Sequence, residues 1–162
     1  MRALFLVLAL SFACAWAQDS VVVVNEGDSG SNFYAGVSLG FATINSNSSG
    51  TLTGHFGIKE LLLPEVDIRI DGNFYFENSD FEISANALYN FFVEDLPLDL
   101  YIGAGPQLYL GEDTFFGLGF RGGATYAIFD PVSIFGELRF NTFFGDDSFS
   151  AFGLAIGARY DL

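Results

Sequence analysis

The residues of this sequence whose types could do chemistry together are His55, Asp67, Arg69, Asp71, Asp99, Arg121, Glu137, Arg139 and Arg159. Each lies in a segment where small or polar residues alternate with bulky apolar ones, and each falls on the small or polar side, as in Asp67-Ile68-Arg69-Ile70-Asp71 and Glu137-Leu138-Arg139-Phe140-Asn141. A period of two is the signature of a strand with two different faces. Acids and arginines sharing one face can neutralise one another as a packed network, or they can line a narrow ion path. Hairpin pairing predicts Arg121 beside Arg139, with Glu137 on the diagonal and at the centre of the group, and His55 close to Arg69. The network is the favoured reading, because a buried charge is tolerable only when it is paired and hydrogen-bonded.

His55 is the single histidine. As the base of a lipid-modifying enzyme it would need a nucleophile or carboxylate near the lipid boundary. Its parity instead points it to the polar side near mid-strand, so no enzymatic role is expected. No cofactor is expected either, since the glycines follow strand parity and form no phosphate-binding loop. A second set of acids, Glu77, Asp80, Glu112, Asp113, Asp146 and Asp147, lies in turn-rich links. Solvated turns explain them most simply. The sharper reading is a rim site for divalent cations shared with anionic lipid head groups, with Glu112, Asp113, Asp146 and Asp147 as candidates, because hard cations prefer carboxylate oxygens.

The elements that must position these residues begin after an export signal. Arg2, the apolar run Ala3 to Ala13 and Ala15-Trp16-Ala17 predict a signal peptide over 1–17, cut before Gln18. Cys14 raises lipoprotein processing as a rival, which Ser11-Phe12-Ala13 fits poorly. Residues 18–32 read as a polar lead-in, and the Val21 to Val24 run as part of a mobile arm. From Phe33 to Leu162 the alternation predicts eight strands, at about 33–43, 51–59, 66–76, 81–91, 98–110, 116–128, 132–144 and 149–162. Their links are short, which makes neighbours antiparallel.

Composition decides which face is outside. The chain is 51% apolar yet carries a net charge of −14, and both fit if the apolar residues face lipid. An eight-stranded barrel has an interior that side chains just fill, and the 20 phenylalanines of this chain with its leucines and isoleucines would not fit there. Beyond the leader the cations are Lys59, Arg69, Arg121, Arg139 and Arg159, all on the small or polar face. Each would lose roughly 2–4 kcal/mol facing lipid at the bilayer midplane. The expected fold is therefore all-β: an eight-stranded antiparallel up-and-down transmembrane β-barrel, apolar face outward and lumen polar. The acidic balance argues against nucleic acid as a partner.

Tyr101-Ile102-Gly103-Ala104-Gly105, Phe120-Arg121-Gly122-Gly123-Ala124-Thr125-Tyr126 and Gly136-Glu137-Leu138-Arg139-Phe140 resemble the glycine-rich fifth, sixth and seventh strands of the eight-stranded outer-membrane barrel superfamily, with its OmpA-type, OmpX-type and opacity-protein domains. The resemblance covers 33–162. It implies the outer membrane of a diderm bacterium, insertion by the barrel-assembly machinery, outer-membrane lipids as partners and a monomeric state. It also implies a periplasmic N-terminus, which makes the acidic links an outer rim. One departure is the ending Tyr160-Asp161-Leu162, whose aromatic residue comes two positions early. With loops too short for an elaborate binding surface, a structural or envelope-stabilising role is expected. A narrow pore for ions or small hydrophobic solutes is the alternative.

Overall fold

A computed structural model describes residues 32–44, 47–61, 63–92, 98–145 and 148–162. The expected signal peptide, nearly all of the lead-in, and Asp146 and Asp147 lie outside the described residues. Eight strands close into one barrel in sequence order: β1 Phe33–Ile44, β2 Asn47–Ile58, β3 Val66–Tyr75, β4 Asp80–Phe92, β5 Leu98–Leu110, β6 Thr114–Phe129, β7 Val132–Phe144 and β8 Phe149–Asp161. Every neighbour pair is antiparallel, and β1 closes on β8 from Tyr34↔Asp161 to Ile44↔Ala151. Closure leaves no unpaired edge, the condition for a sheet to cross a bilayer.

Alternation is what makes the wall two-sided. Val37, Leu39, Phe41, Ile70, Ile102, Phe120, Leu138 and Ile156 stand outward and exposed, while Ser38, Thr53, Asp71, Asn73, Glu82, Gln107, Glu137 and Asn141 are buried inside. This is the reverse of a soluble globule and the expected pattern for lipid outside and a packed lumen inside.

The strands differ from the sequence expectation at their ends. β2 starts at Asn47, four residues before the expected start at about 51. The β1 ladder runs on through Thr43↔Ser48 and Ile44↔Asn47, and the Thr43 and Ser48 hydroxyls meet at 3.2 Å. Pairing with β1 thus overrides the weak strand preference of a Ser-Asn-rich stretch. Phe76 belongs to the β3–β4 turn instead of β3, and its N–H donates to Gly50 O at 3.0 Å. That turn closes with Ser79 at φ 59°. Three bulky apolar residues, Leu88, Phe135 and Phe143, are buried inside the barrel, which is therefore less polar than expected.

Candidate functional site: the packed lumen

The middle of the lumen is a charge network built by six strands. Glu137 on β7 is its centre. Its Oε2 accepts from Arg69 Nη2 at 2.5 Å and from the Tyr101 hydroxyl at 2.8 Å. Its Oε1 accepts from Arg139 Nε at 2.5 Å and from Arg121 Nη1 at 3.4 Å. Asp71 on β3 is the second acceptor, 3.1 Å from Arg121 Nη1 and 2.9 Å from Arg69 Nε, with Asn86 Nδ2 donating at 2.9 Å. Arg121 Nη2 also donates to Ser84 Oγ at 3.2 Å. A fork of donors held between two carboxylates is the arrangement arginine suits best.

A second acid extends this network toward the loops. Glu82 on β4 is fully buried and meets only neutral donors: Asn73 Nδ2 at 2.8 Å, the Tyr75 hydroxyl at 2.7 Å and Asn141 Nδ2 at 3.1 Å. The Gln107 amide is satisfied with its nitrogen turned to Glu82 Oε1 at 3.1 Å. Arg139 connects the two parts, since its Nη1 donates to Asn73 Oδ1 at 2.6 Å and to Thr53 Oγ1 at 2.9 Å. The sum closes: Arg69, Arg121 and Arg139 balance Asp71, Glu82 and Glu137. Sequence reasoning placed Arg121 and Arg139 around Glu137 but set Arg69 near His55 instead, and it missed Asn73, Asn141, Gln107 and Thr53 as partners. Their inward parity was the available signal.

Small residues make the space for these long ones. A Cβ on Gly119 would lie 1.4 Å from the end of the Gln107 amide, and one on Gly123 would lie 2.5 Å from the Tyr101 hydroxyl. β1 and β8 contribute mainly Ser38, Ala42, Ala151 and Ala155, buried opposite the charges. A void beside Thr51, Asn73, Tyr75, Arg139, Asn141 and Ala155 measures about 10 Å³, room for roughly one water.

Aromatic layers lie above and below. At the loop end Tyr75, Tyr109 and Phe143 are buried, with Phe115, Phe149 and Ile44 packed over them. Phe143 stacks on Phe149 with ring centroids 4.7 Å apart, and the Tyr109 hydroxyl bonds to Asp80. At the end that holds the termini, His55 lies between Tyr34 (6.1 Å) and Phe135 (5.1 Å).

The remaining expected residues take other places. The register sets His55 opposite Asp71 and Arg69 opposite Gly57, so Arg69 is the diagonal neighbour of His55. A two-residue offset in register separates them. Arg159 lies over the Tyr34 ring at 4.7 Å and 3.4 Å from Asp161, which also pairs with Lys59 at 2.9 Å. Asp67 is buried but accepts from the Glu60 N–H at 3.3 Å, away from the central group. Asp99 faces Phe92 and Thr125 near the terminus-end rim, also outside that group. Glu112 and Asp113 are exposed on the β5–β6 link. Among the described residues no three His, Cys, Asp or Glu side chains converge as a metal site would require.

No protein-family model and no curated protein sequence matches the chain. Solved structures do. Neisserial surface protein A is 19% identical over 83% of this chain and 100% of its own, with a TM-score of 0.66. The N-terminal β-barrel domain of Pseudomonas aeruginosa OprF is 16% identical over 81% of this chain and 99% of its own, at 0.60. A de novo designed transmembrane β-barrel is 14% identical over 84% of this chain and 100% of its own, at 0.61. At such identities the likeness is one of fold, and the fold is that of the eight-stranded outer-membrane barrels.

Proposed function

We propose that this chain is an integral outer-membrane barrel with a structural, envelope-stabilising role, and that its lumen is plugged by its own side chains. One observation carries the reading: Glu137, buried at the centre, is held by three arginines from β3, β6 and β7. A bond set that ties strands across the lumen stiffens the wall and occupies the space a conducting file of water would need. The aromatic layers at both ends support the same reading. The role is non-enzymatic, since His55 is enclosed by Tyr34 and Phe135 within the lumen, away from acyl chains. The protein works as a monomer in contact with outer-membrane lipids, after export with a cleaved signal peptide and insertion by the barrel-assembly machinery. The termini face the periplasm.

The test is single-channel recording on refolded protein in planar bilayers, beside the Glu137→Ala variant. The wild type gives no steady conductance steps, while the variant is less stable and leaks, because three cations lose a counter-charge. Steady wild-type conductance, with stability and current unchanged in the variant, would replace this reading by the narrow pore.

A further inference from the structure

The outer surface is a ridged apolar face, and the register makes explicit a depression in it along β4–β5. Across β3, β4, β5 and β6 one outward row reads Ile68, Ala87, Ala104, Phe120. Large side chains flank two small ones that face each other. In the next row toward the loops Ile70 pairs with Ala85 and Pro106 pairs with Leu118. The β4–β5 ladder lapses there, where proline has no N–H to donate. Both small pairs therefore form the floor of a trough along β4–β5. Its walls are Ile68 and Ile70 on one side and Leu118 and Phe120 on the other. Ile83 and Leu108 close it toward the loops, and Tyr89 and Ile102 close it toward the termini. At its terminus end the trough widens into an open depression of about 480 Å³, lined by Val66, Ala87, Tyr89, Ile102, Ala104 and Phe120 with Leu88, Gly103 and Arg121.

We propose that this trough seats one acyl chain of a glycerophospholipid, with its ester and head group at Tyr89; the proposal rests on the outer-membrane reading with periplasmic termini. The trough is continuous with the lipid-facing surface, so the occupant is at hand. Between apolar surfaces in a bilayer there is no hydrophobic drive, and packing decides what binds. A second copy related by a two-fold axis would set trough against trough and leave the space unfilled. A flexible acyl chain is a ridge of the right width.

The closing tyrosine supplies the polar contact. Four of the seven tyrosines, Tyr34, Tyr75, Tyr101 and Tyr109, are buried in the lumen, whereas Tyr89, Tyr126 and Tyr160 stand outward and exposed. All three outward ones lie in the terminus-end half of their strands. A phenol ring with an apolar body and a polar tip belongs at the head-group level. Tyr89 is next to Asn90, whose N–H donates to Glu65 O in the β2–β3 link at 2.7 Å. That contact marks Tyr89 as close to the water boundary, where an ester carbonyl or phosphate oxygen can accept from its hydroxyl.

The experiment uses the mature chain refolded into vesicles of phosphatidylethanolamine and phosphatidylglycerol, extracted in mild detergent and weighed by native mass spectrometry. The wild type should retain one phospholipid. Filling the floor with Ala87→Leu and Ala104→Leu should lower retention by about tenfold, and Tyr89→Phe should lower it less, with the β-type circular dichroism unchanged. Equal retention in the filled variant would overturn the proposal, as would disulfide cross-linking of two Ala104→Cys chains in the bilayer. Phe120→Trp provides a second measurement that needs no filled variant. Mid-chain-brominated phospholipid should quench it more strongly than Phe152→Trp on β8, and equal quenching would refute the seat. A helical spectrum, or a soluble monomer without detergent, would instead remove the outer-membrane reading itself.

Discussion

The middle of the lumen and its loop-end mouth are both filled by side chains, but by opposite means. In the middle, Arg69, Arg121 and Arg139 are held by Asp71 and Glu137 through ion pairs within β3 and within β7, between the adjacent β6 and β7, and across the lumen from β3 to β7 and from β6 to β3. At the mouth, Tyr75, Tyr109, Phe143 and Phe149 touch by ring faces and edges. The first kind of packing is all or none, since removing one partner strands a charge in a medium that cannot solvate it. The second loses contact area by degrees. The barrel thus carries a rigid, specific layer in its middle and a more forgiving one at its mouth.

That contrast can be broken most sharply at Glu137. Replacing it by Ala should cost about 3–5 kcal/mol, read as a lower denaturant midpoint. A smaller effect would mean that water enters and solvates the arginines. Glu82 is the next test, because its partners are neutral donors and its charge is balanced only through Asn73 and Arg139. Glu82→Gln keeps the volume and should cost roughly 1–3 kcal/mol in the same titration. No change would remove Glu82 from the charge balance.

The mouth should respond less. Phe143→Leu keeps an apolar side chain of similar size and should cost under about 1.5 kcal/mol; a cost matching that of Glu137→Ala would erase the difference between the two layers. Smallest of all is the rim. Asp113→Asn, on the exposed β5–β6 link, should change stability by no more than about 0.5 kcal/mol, with or without added calcium. A calcium-dependent rise in the wild type that this variant loses would restore the cation rim.

Much of this was legible beforehand because one property, parity, controls it. A strand turns each successive side chain to the opposite face, so Asp67, Arg69 and Asp71 had to share a side, and the energy of charge in lipid says which side. The same rule placed Glu137, Arg139 and Asn141 inside. Strand ends were read less well. Asn47 to Gly50 resembles a turn until β1 is there to pair with it, and Phe76 continues the alternation of β3 although the chain has already turned.

The sequence by itself determined the period, the number of strands, the polar part of the inward set and the neutralising pair types. It also determined contacts between adjacent strands, since Arg121 faces Arg139 through a hairpin whose link is two residues long. Only the tertiary structure decided the bonds across the lumen. Arg69 reaches Glu137 from 68 residues away, and Arg139 reaches Thr53 from 86. Those distances depend on the tilt and stagger with which eight strands close, quantities that belong to the whole ring and to no single hairpin.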